Sequence, residues 1–363
     1  MSDVHHPQSP HEGHDGHEHH DGHDRYEGQT HWPSAWPHPA ALPVPALVDA
    51  AWLHQRLHQR QHQHQHRDAV VLLQVDDDSS SYYERHLPGA RPIDTFDELH
   101  QHVRRGPLHR AGFEHLMDAK GVHRGDHVVL YSAGDPTHAA FAFWLMRLYG
   151  HPRLSLLDGG LRAWAAAGHP LSQDVPTWPG PHPAPAHTDG TDGTDGTDGT
   201  DGTDGTRDTA YTADERDASL IIGREEVLTR YVDAPAPALV LDCRTPGEYQ
   251  GSSHHQLDVA AERHRVPGHV PGSRNLPSAL VLNPEGTFKT REQLRQLFAS
   301  RNLAADSQVV VYCRLAERSA LLWFALAELL GHEPVRHYVG GWAEYGSLID
   351  APVTREDAPV EHG

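Results

Sequence analysis

The sequence predicts an α/β protein made of two tandem copies of one unit, each a mainly parallel sheet flanked by helices. Three observations predict it. Short β-branched runs alternate with helical patterns along the chain, the order that builds parallel sheets. Three motifs recur in matched order in two blocks, residues 40–178 and 219–354. Their spacing recurs too, since Ser132 precedes Asp158 by as many residues as Cys313 precedes Val339.

Taken in order, residues 1–39 are rich in His, Gly, Asp and Pro and lack periodic apolar positions. Such a segment cannot bury enough surface to offset chain entropy, so a disordered His-rich tail is expected. Its His14, His17, His19, His20 and His23 alternate with carboxylates, and neutral imidazole suits zinc, nickel or copper. The plainer reading is a solvated, loosely chelating tract without a specific metal site. ALVDAAWL starts an amphipathic helix that runs into HQRLHQRQHQHQHR, residues 54–67, and degenerates into an exposed loop. VVLLQV, HVVLYS and RLSLLD are strands of the first block, and ALVLDCR, QVVVYC and VRHYV strands of the second. HAAFAFWLMRLYG and SALLWFALAELLG read as helices, each ending in the Gly expected just past a helix.

Between the blocks, residues 179–218 read as a flexible acidic linker, in which the triplet TDG repeats from Thr188 to Gly205 without an apolar residue. Asp and Gly at fixed spacing are how oxygen-ligand calcium loops are made. The triplet nevertheless lacks the apolar position that packs a β-roll. Residues 355–363 form a second short tail.

The chain has 363 residues and a net charge of −20, with 30 basic against 50 acidic side chains. Phosphate binding needs clustered Lys and Arg, so a nucleic acid partner is not expected. A hydrophobic fraction of 37% and a mean hydropathy of −0.62 are low for packed core throughout, in keeping with a tail and a linker. The apolar runs stop short of the roughly 18–20 residues that a membrane helix needs, and the start lacks a charged and then apolar leader. No membrane association is expected. Two cysteines cannot form a disulfide framework, and a lone functional thiol suits a reducing compartment, so the cytoplasm is the expected location.

The repeated motifs are RHLPGARPID at 85–94 with GHVPGSRNLP at 268–277, LYS before AGDPTH with VYC before RLAERS, and LLDGGLRAW at 156–164 with HYVGGWAEY at 337–345. The first copy carries Ser132 where the second carries Cys313. Cys313 is expected at the end of a buried strand, with a helix starting near Ser319. The helix dipole and the unpaired amides of the loop both favour an anion there. Arg314 and Arg318 add two fixed positive charges to the same loop, which suits a nucleophile whose partner is also an anion. A free cysteine is usually a small core hydrophobe, but that role does not explain a charged loop beginning at the residue itself. It does suit Cys243 in LVLDCRTPGEY, which is expected to be a packed core thiol rather than a resolving cysteine. Loop length discriminates further. Cysteine phosphatases have Cys, five residues and then Arg, whereas here Ser319 holds that place and Arg318 comes one earlier. The tighter cradle matches a single sulfur better than a phosphate.

Together these motifs resemble the two-domain rhodanese family of sulfurtransferases over 40–178 and 219–354, closest to actinobacterial thiosulfate sulfurtransferases whose loop reads CRxGERS. The resemblance implies two tandem rhodanese-like domains, the first non-catalytic and the second catalytic, working without a cofactor. It implies a ping-pong reaction between a small-molecule sulfur donor and a thiol or cyanide acceptor: Cys313 takes the outer sulfur of thiosulfate as a persulfide, and the acceptor removes it. Arg314 and Arg318 would orient the sulfonate, with Leu315, Ala316, Glu317 and Ser319 completing the loop. Glu317 is expected to hold Arg318 or another cation. Asp242 and Arg244 match the family's Asp-x-Arg strand end and are expected to brace the loop. His86 and His269, in the HxPGx turns, are expected to be polar anchors.

Three departures stand out. Ala316 occupies the position of the loop glycine, and an alanine strains the cradle if that position needs a positive φ. Val339 and Gly341 stand where relatives have Asp and Ser. A 3-mercaptopyruvate sulfurtransferase is the nearer alternative, but its neutral loop, resembling Cys-Gly-Ser/Thr-Gly-Val-Thr, contrasts with the charged CRLAER. A degenerate persulfide carrier or binding module is the other.

Overall fold

The long apolar runs become strands, and every strand pair named below is parallel. The computed structural model describes residues 44–61, 70–101, 106–175, 210–233, 238–253 and 266–355. The tail 1–39 with its histidines, the TDG repeats and residues 356–363 lie outside them.

In the first half the strands are β1 (Leu47–Val48), β2 (Val70–Asp76), β3 (Arg91–Asp94), β4 (His127–Tyr131) and β5 (Leu154–Leu157), in the sheet order β1-β5-β4-β2-β3. The second half has β6 (Ala238–Asp242), β7 (Arg274–Asn275), β8 (Gln308–Tyr312) and β9 (Val335–His337), in the order β7-β6-β8-β9. A parallel bridge from Ile221 to His337 extends β9 as β1 extends β5. The two sheets are thus the same sheet twice, as the repeated motifs require. Their register agrees residue by residue: Gln74 faces Tyr131 in the first, and Asp242 faces Tyr312 in the second.

β2, β4, β6 and β8 are buried along almost their whole length, which is why they read as continuous apolar runs rather than alternating ones. The winding changes direction between β6 and β8, so the carboxyl ends of these strands flank the crevice where open α/β sheets place their ligands. Cys313 is the first residue after β8.

The helix after β4, Pro136–Leu148, is started by Asp135, whose side chain accepts the Thr137 N–H, and by proline in its first turn. The helix after β8, Glu317–Phe324, begins two residues earlier than the expected Ser319 and widens into a π-helical turn over Ala325–Leu330, ending at Gly331 with φ 70°. These two equivalent helices pack on each other. The Phe143 and Phe324 rings meet edge to face with centroids 4.9 Å apart, and Arg147 pairs with Glu328 at 2.9 Å. One apolar core therefore runs through both halves, and each sheet covers its other face with a smaller core of its own.

The linker ends earlier than expected. Residues 210–218 are built onto the first half: Tyr211 and Ala213 are buried, the Tyr211 N–H donates to Asp118 Oδ1 at 2.7 Å, and the Tyr211 hydroxyl meets His151 Nδ1 at 2.7 Å. The alternating YTA of Tyr211–Ala213 is the apolar signal that ends the linker. Among the described residues, no helix is long and apolar enough to cross a membrane.

Candidate active site

Cys313 stands at the end of β8 with its sulfur beneath the first turn of the following helix. The Ala316 N–H donates to Cys313 Sγ at 3.2 Å, and the Ser319 hydroxyl lies 3.4 Å from the same sulfur. An amide N–H, a hydroxyl and the start of a helix thus converge on one sulfur. The Ser319 proton can serve one acceptor at a time, and the Ala316 carbonyl at 2.9 Å and His337 Nε2 also compete for it. On the far side Ser319 Oγ is 2.6 Å from His337 Nε2. Burial pushes the His337 imidazole down to about 3, so it is neutral at physiological pH.

The loop holds this shape at a cost. Ala316 has φ 126° and ψ −33°, a region that an L side chain enters only under strain. The alanine at the glycine position does need a positive φ. Gly341 supports the loop from below, where the Trp342 and Ala343 N–H groups donate to the carbonyls of Cys313 and Arg314 at 2.8 and 3.0 Å. A Cβ on Gly341 would lie 2.6 Å from the Cys313 oxygen and 2.7 Å from the Arg314 oxygen, so this close approach leaves no room for the serine that the resemblance led one to expect. Val339 packs against the shared core.

The charged residues pair differently from the sequence reading. Arg318 makes a two-pronged ion pair with Glu248 at 2.8 and 2.9 Å. Burial opposes the Glu248 charge, but Arg318 and the Thr245 hydrogen bonds overcome it and hold the carboxyl at about 2. Glu317 does not hold Arg318. It meets His100 Nε2 of the first half at 2.9 Å, and that contact keeps its carboxyl low against the opposing effect of burial. Asp242 and Arg244 form a buried two-pronged pair; Arg244 also donates to the Gly268 carbonyl at 2.7 Å and lies over the Trp342 ring at 4.5 Å. They brace the turn and the tryptophan beside the loop. Arg314 and Leu315 form the partly exposed top of the loop.

His86 and His269 play the same part in both copies. Each Nδ1 meets a backbone carbonyl at 2.8 Å, that of Tyr82 or Tyr249, and each ring stacks on the same tyrosine. At the first copy's equivalent of the cysteine, Ser132 Oγ donates to the Val75 carbonyl at 2.7 Å and accepts the Ala139 N–H at 3.2 Å. A cavity of 190 Å³ lies there, lined in part by Ser132, Gly160, Arg162 and, from the second half, Phe288. Its serine hydroxyl is spent on backbone.

Sequence reasoning missed three contributors. Glu248 was legible as the end of a capping box, Thr245 to Glu248. His337 closes β9 and opens the repeated HYVGGWAEY element, where nothing marks it as a neighbour of the loop, and His100 has no local signal, being brought to Glu317 by the packing of the two halves. Cys313 is completely buried. Among the described residues no cluster of His, Cys, Asp or Glu could hold a metal.

The comparisons with known proteins bear on the family and the fold. The profile of the Rhodanese-like domain matches residues 49–167 and 225–348. A provisionally named thiosulfate sulfurtransferase of Saccharopolyspora erythraea is 36% identical over 317 residues, 87% of this chain and 98% of that protein. The sulfur carrier protein TtuD of Thermus thermophilus is 33% identical over 287 residues, 79% of this chain and 91% of its own length. Among solved structures, the anaerobic ergothioneine biosynthesis enzyme of Chlorobium limicola aligns with a TM-score of 0.65 at 18% identity, over 86% of this chain and 71% of that one. YnjE aligns with the same score at 21% identity, over 86% and 69%. At these identities the structures speak for the fold. The chain belongs to the rhodanese family, as a protein of two rhodanese-like domains.

Proposed function

We propose that this protein is a thiosulfate sulfurtransferase whose sulfur passes through Cys313. The observation that carries the reading is the setting of the Cys313 sulfur, which receives the Ala316 N–H and lies beside the Ser319 hydroxyl at the start of a helix. The nucleophile is the thiolate form of Cys313. It attacks the outer sulfur of thiosulfate, the sulfur–sulfur bond of the donor breaks, and sulfite leaves with the bonding pair. The carbon of cyanide, or a thiolate, then attacks the outer sulfur of the persulfide and restores the Cys313 thiolate. Arg314, at the open top of the loop, and Arg318 orient the anionic donor, Arg318 with Glu248 fixing its direction.

A second reading is favoured by one observation, the complete burial of Cys313. A sulfur so enclosed suits a carrier that surrenders it to a partner protein, and a relative named a sulfur carrier protein spans most of the chain. Steady-state kinetics separate the readings. Double-reciprocal plots at several cyanide concentrations, with thiosulfate as donor, are expected to be parallel, and turnover with 3-mercaptopyruvate is expected to be lower. A single sulfur taken up without turnover on cyanide or small thiols selects the carrier, and faster turnover with 3-mercaptopyruvate reverses the choice of donor.

A further inference from the structure

Cys243 was expected to be packed core, and it is buried in the shared core. The structure also places it beside Cys313. Asp242 of β6 faces Tyr312 of β8 in the parallel register, so the next residues along, Cys243 and Cys313, are neighbours on adjacent chains. Both project to the same side of the sheet: Leu239, Leu241, Val309, Val311 and the two cysteines share one core, whereas Val240, Val310 and Tyr312 belong to the core opposite. Neighbouring strands lie about 4.8 Å apart, inside the roughly 4.4–6.8 Å between Cα atoms that a disulfide spans. The first copy shows that a side chain at this register leans across to the adjacent strand, where Ser132 Oγ reaches the Val75 carbonyl at 2.7 Å. Val75 is the equivalent of Cys243. Packing at this position is therefore satisfied by a plain valine, and the second copy carries a thiol there, next to the reactive one.

We propose that Cys243 is a resolving thiol for Cys313, which discharges an idle persulfide as sulfide and closes a Cys243–Cys313 disulfide. The proposal rests on the persulfide reading above. The Cys243 sulfur attacks the inner sulfur of the Cys313 persulfide anion. The bond to the outer sulfur breaks, and the outer sulfur leaves with the electron pair and the proton of Cys243 as hydrosulfide. The Cys243 sulfur is oxidised and the outer sulfur is reduced by the same amount, while the Cys313 sulfur only exchanges one sulfur partner for another, so no external oxidant is needed; a reducing thiol reopens the bridge. Burial, and secondarily Cys313 itself, pushes the Cys243 thiol well up, which makes the step slow. It belongs to the minutes to hours of disulfide rearrangement and operates when no acceptor arrives. The enclosure of Cys313 protects the persulfide over that interval.

The test uses the full chain and Cys243→Val, the residue that the first copy itself carries. Each is loaded with thiosulfate without acceptor, quenched in acid at intervals and weighed intact without reductant, while released sulfide is measured. A parallel arm replaces thiosulfate by diamide, which closes a dithiol directly. The expected result is that the natural chain gains one sulfur, then loses it as sulfide and becomes two hydrogens lighter than the reduced chain, with a peptide joining Cys243 to Cys313. Cys243→Val keeps its sulfur. A natural chain that keeps its sulfur as long as Cys243→Val overturns the proposal and leaves the sulfurtransferase reading standing. If thiosulfate loads neither chain, that donor reading fails and the diamide arm decides: a bridge formed only in the natural chain supports the pair, and its absence overturns it.

Discussion

Ala316→Gly should make the protein more stable, because the loop over Cys313 asks this residue for a conformation that glycine adopts freely. At φ 126° and ψ −33°, the alanine carries strain of about 2 kcal/mol. Glycine removes that strain and also caps a helix start better than alanine, by about 0.5 kcal/mol. Against this stand about 0.7 kcal/mol of extra unfolded-state entropy and about 0.8 kcal/mol for the lost burial of a methyl group that is 1% exposed. The balance is a gain of about 1 kcal/mol, or a rise in Tm of about 1–2 °C for a chain of this size. Scanning calorimetry with urea denaturation reads it, and Ala316→Val provides the opposite arm, since a β-branched side chain tolerates this φ least. Destabilisation by glycine, or tolerance of valine, would refute the reasoning that the loop stores strain at this residue.

Further outcomes follow from the pairs around the loop. Glu248→Gln leaves the partly buried Arg318 without its counter-charge and is expected to cost about 1–3 kcal/mol in urea denaturation at neutral pH. The folded-state value of Glu248 is depressed from 4.5 to about 2, so its contribution is fully present above pH 4.5 and is lost as pH falls toward 2. The stability gap between the natural chain and Glu248→Gln should therefore narrow on acidification and not on alkalinisation. His100→Ala removes the first half's hold on Glu317 and is expected to cost about 1–3 kcal/mol and to lower kcat, read by denaturation and initial rates. Gly341→Ser is expected to destabilise the second half, because its Cβ would lie 2.6 Å from the Cys313 carbonyl oxygen; a Tm unchanged from the natural chain would contradict the close approach.

What could be read from the chain beforehand follows from how local each signal is. β2, β4, β6 and β8 are buried on both faces, so their apolar runs announced them. β1 and β7 are two residues long and leave no run to detect; they exist because the chain passes a sheet edge. The helix after β8 starts at Glu317 rather than near Ser319 because an acidic residue is well placed in a first turn, a preference outweighed in the reading by the serine. The strain at Ala316 was legible because a glycine position filled by alanine speaks to φ directly. The pairing of Glu317 was not, since His100 lies in the other half and only the packing of two equivalent helices brings it near. Nor could separate runs of sequence show that Cys243 and Cys313 share a register, which is a property of strand pairing.

The most direct test of the central claim is the intact mass of the protein after thiosulfate and then after cyanide, with Cys313→Ser and Cys243→Val beside the natural chain. The account predicts a gain of one sulfur that requires Cys313, occurs without Cys243 and disappears on brief exposure to cyanide as thiocyanate forms. A sulfur that still appears on Cys313→Ser, or a natural chain that takes up none, would contradict it.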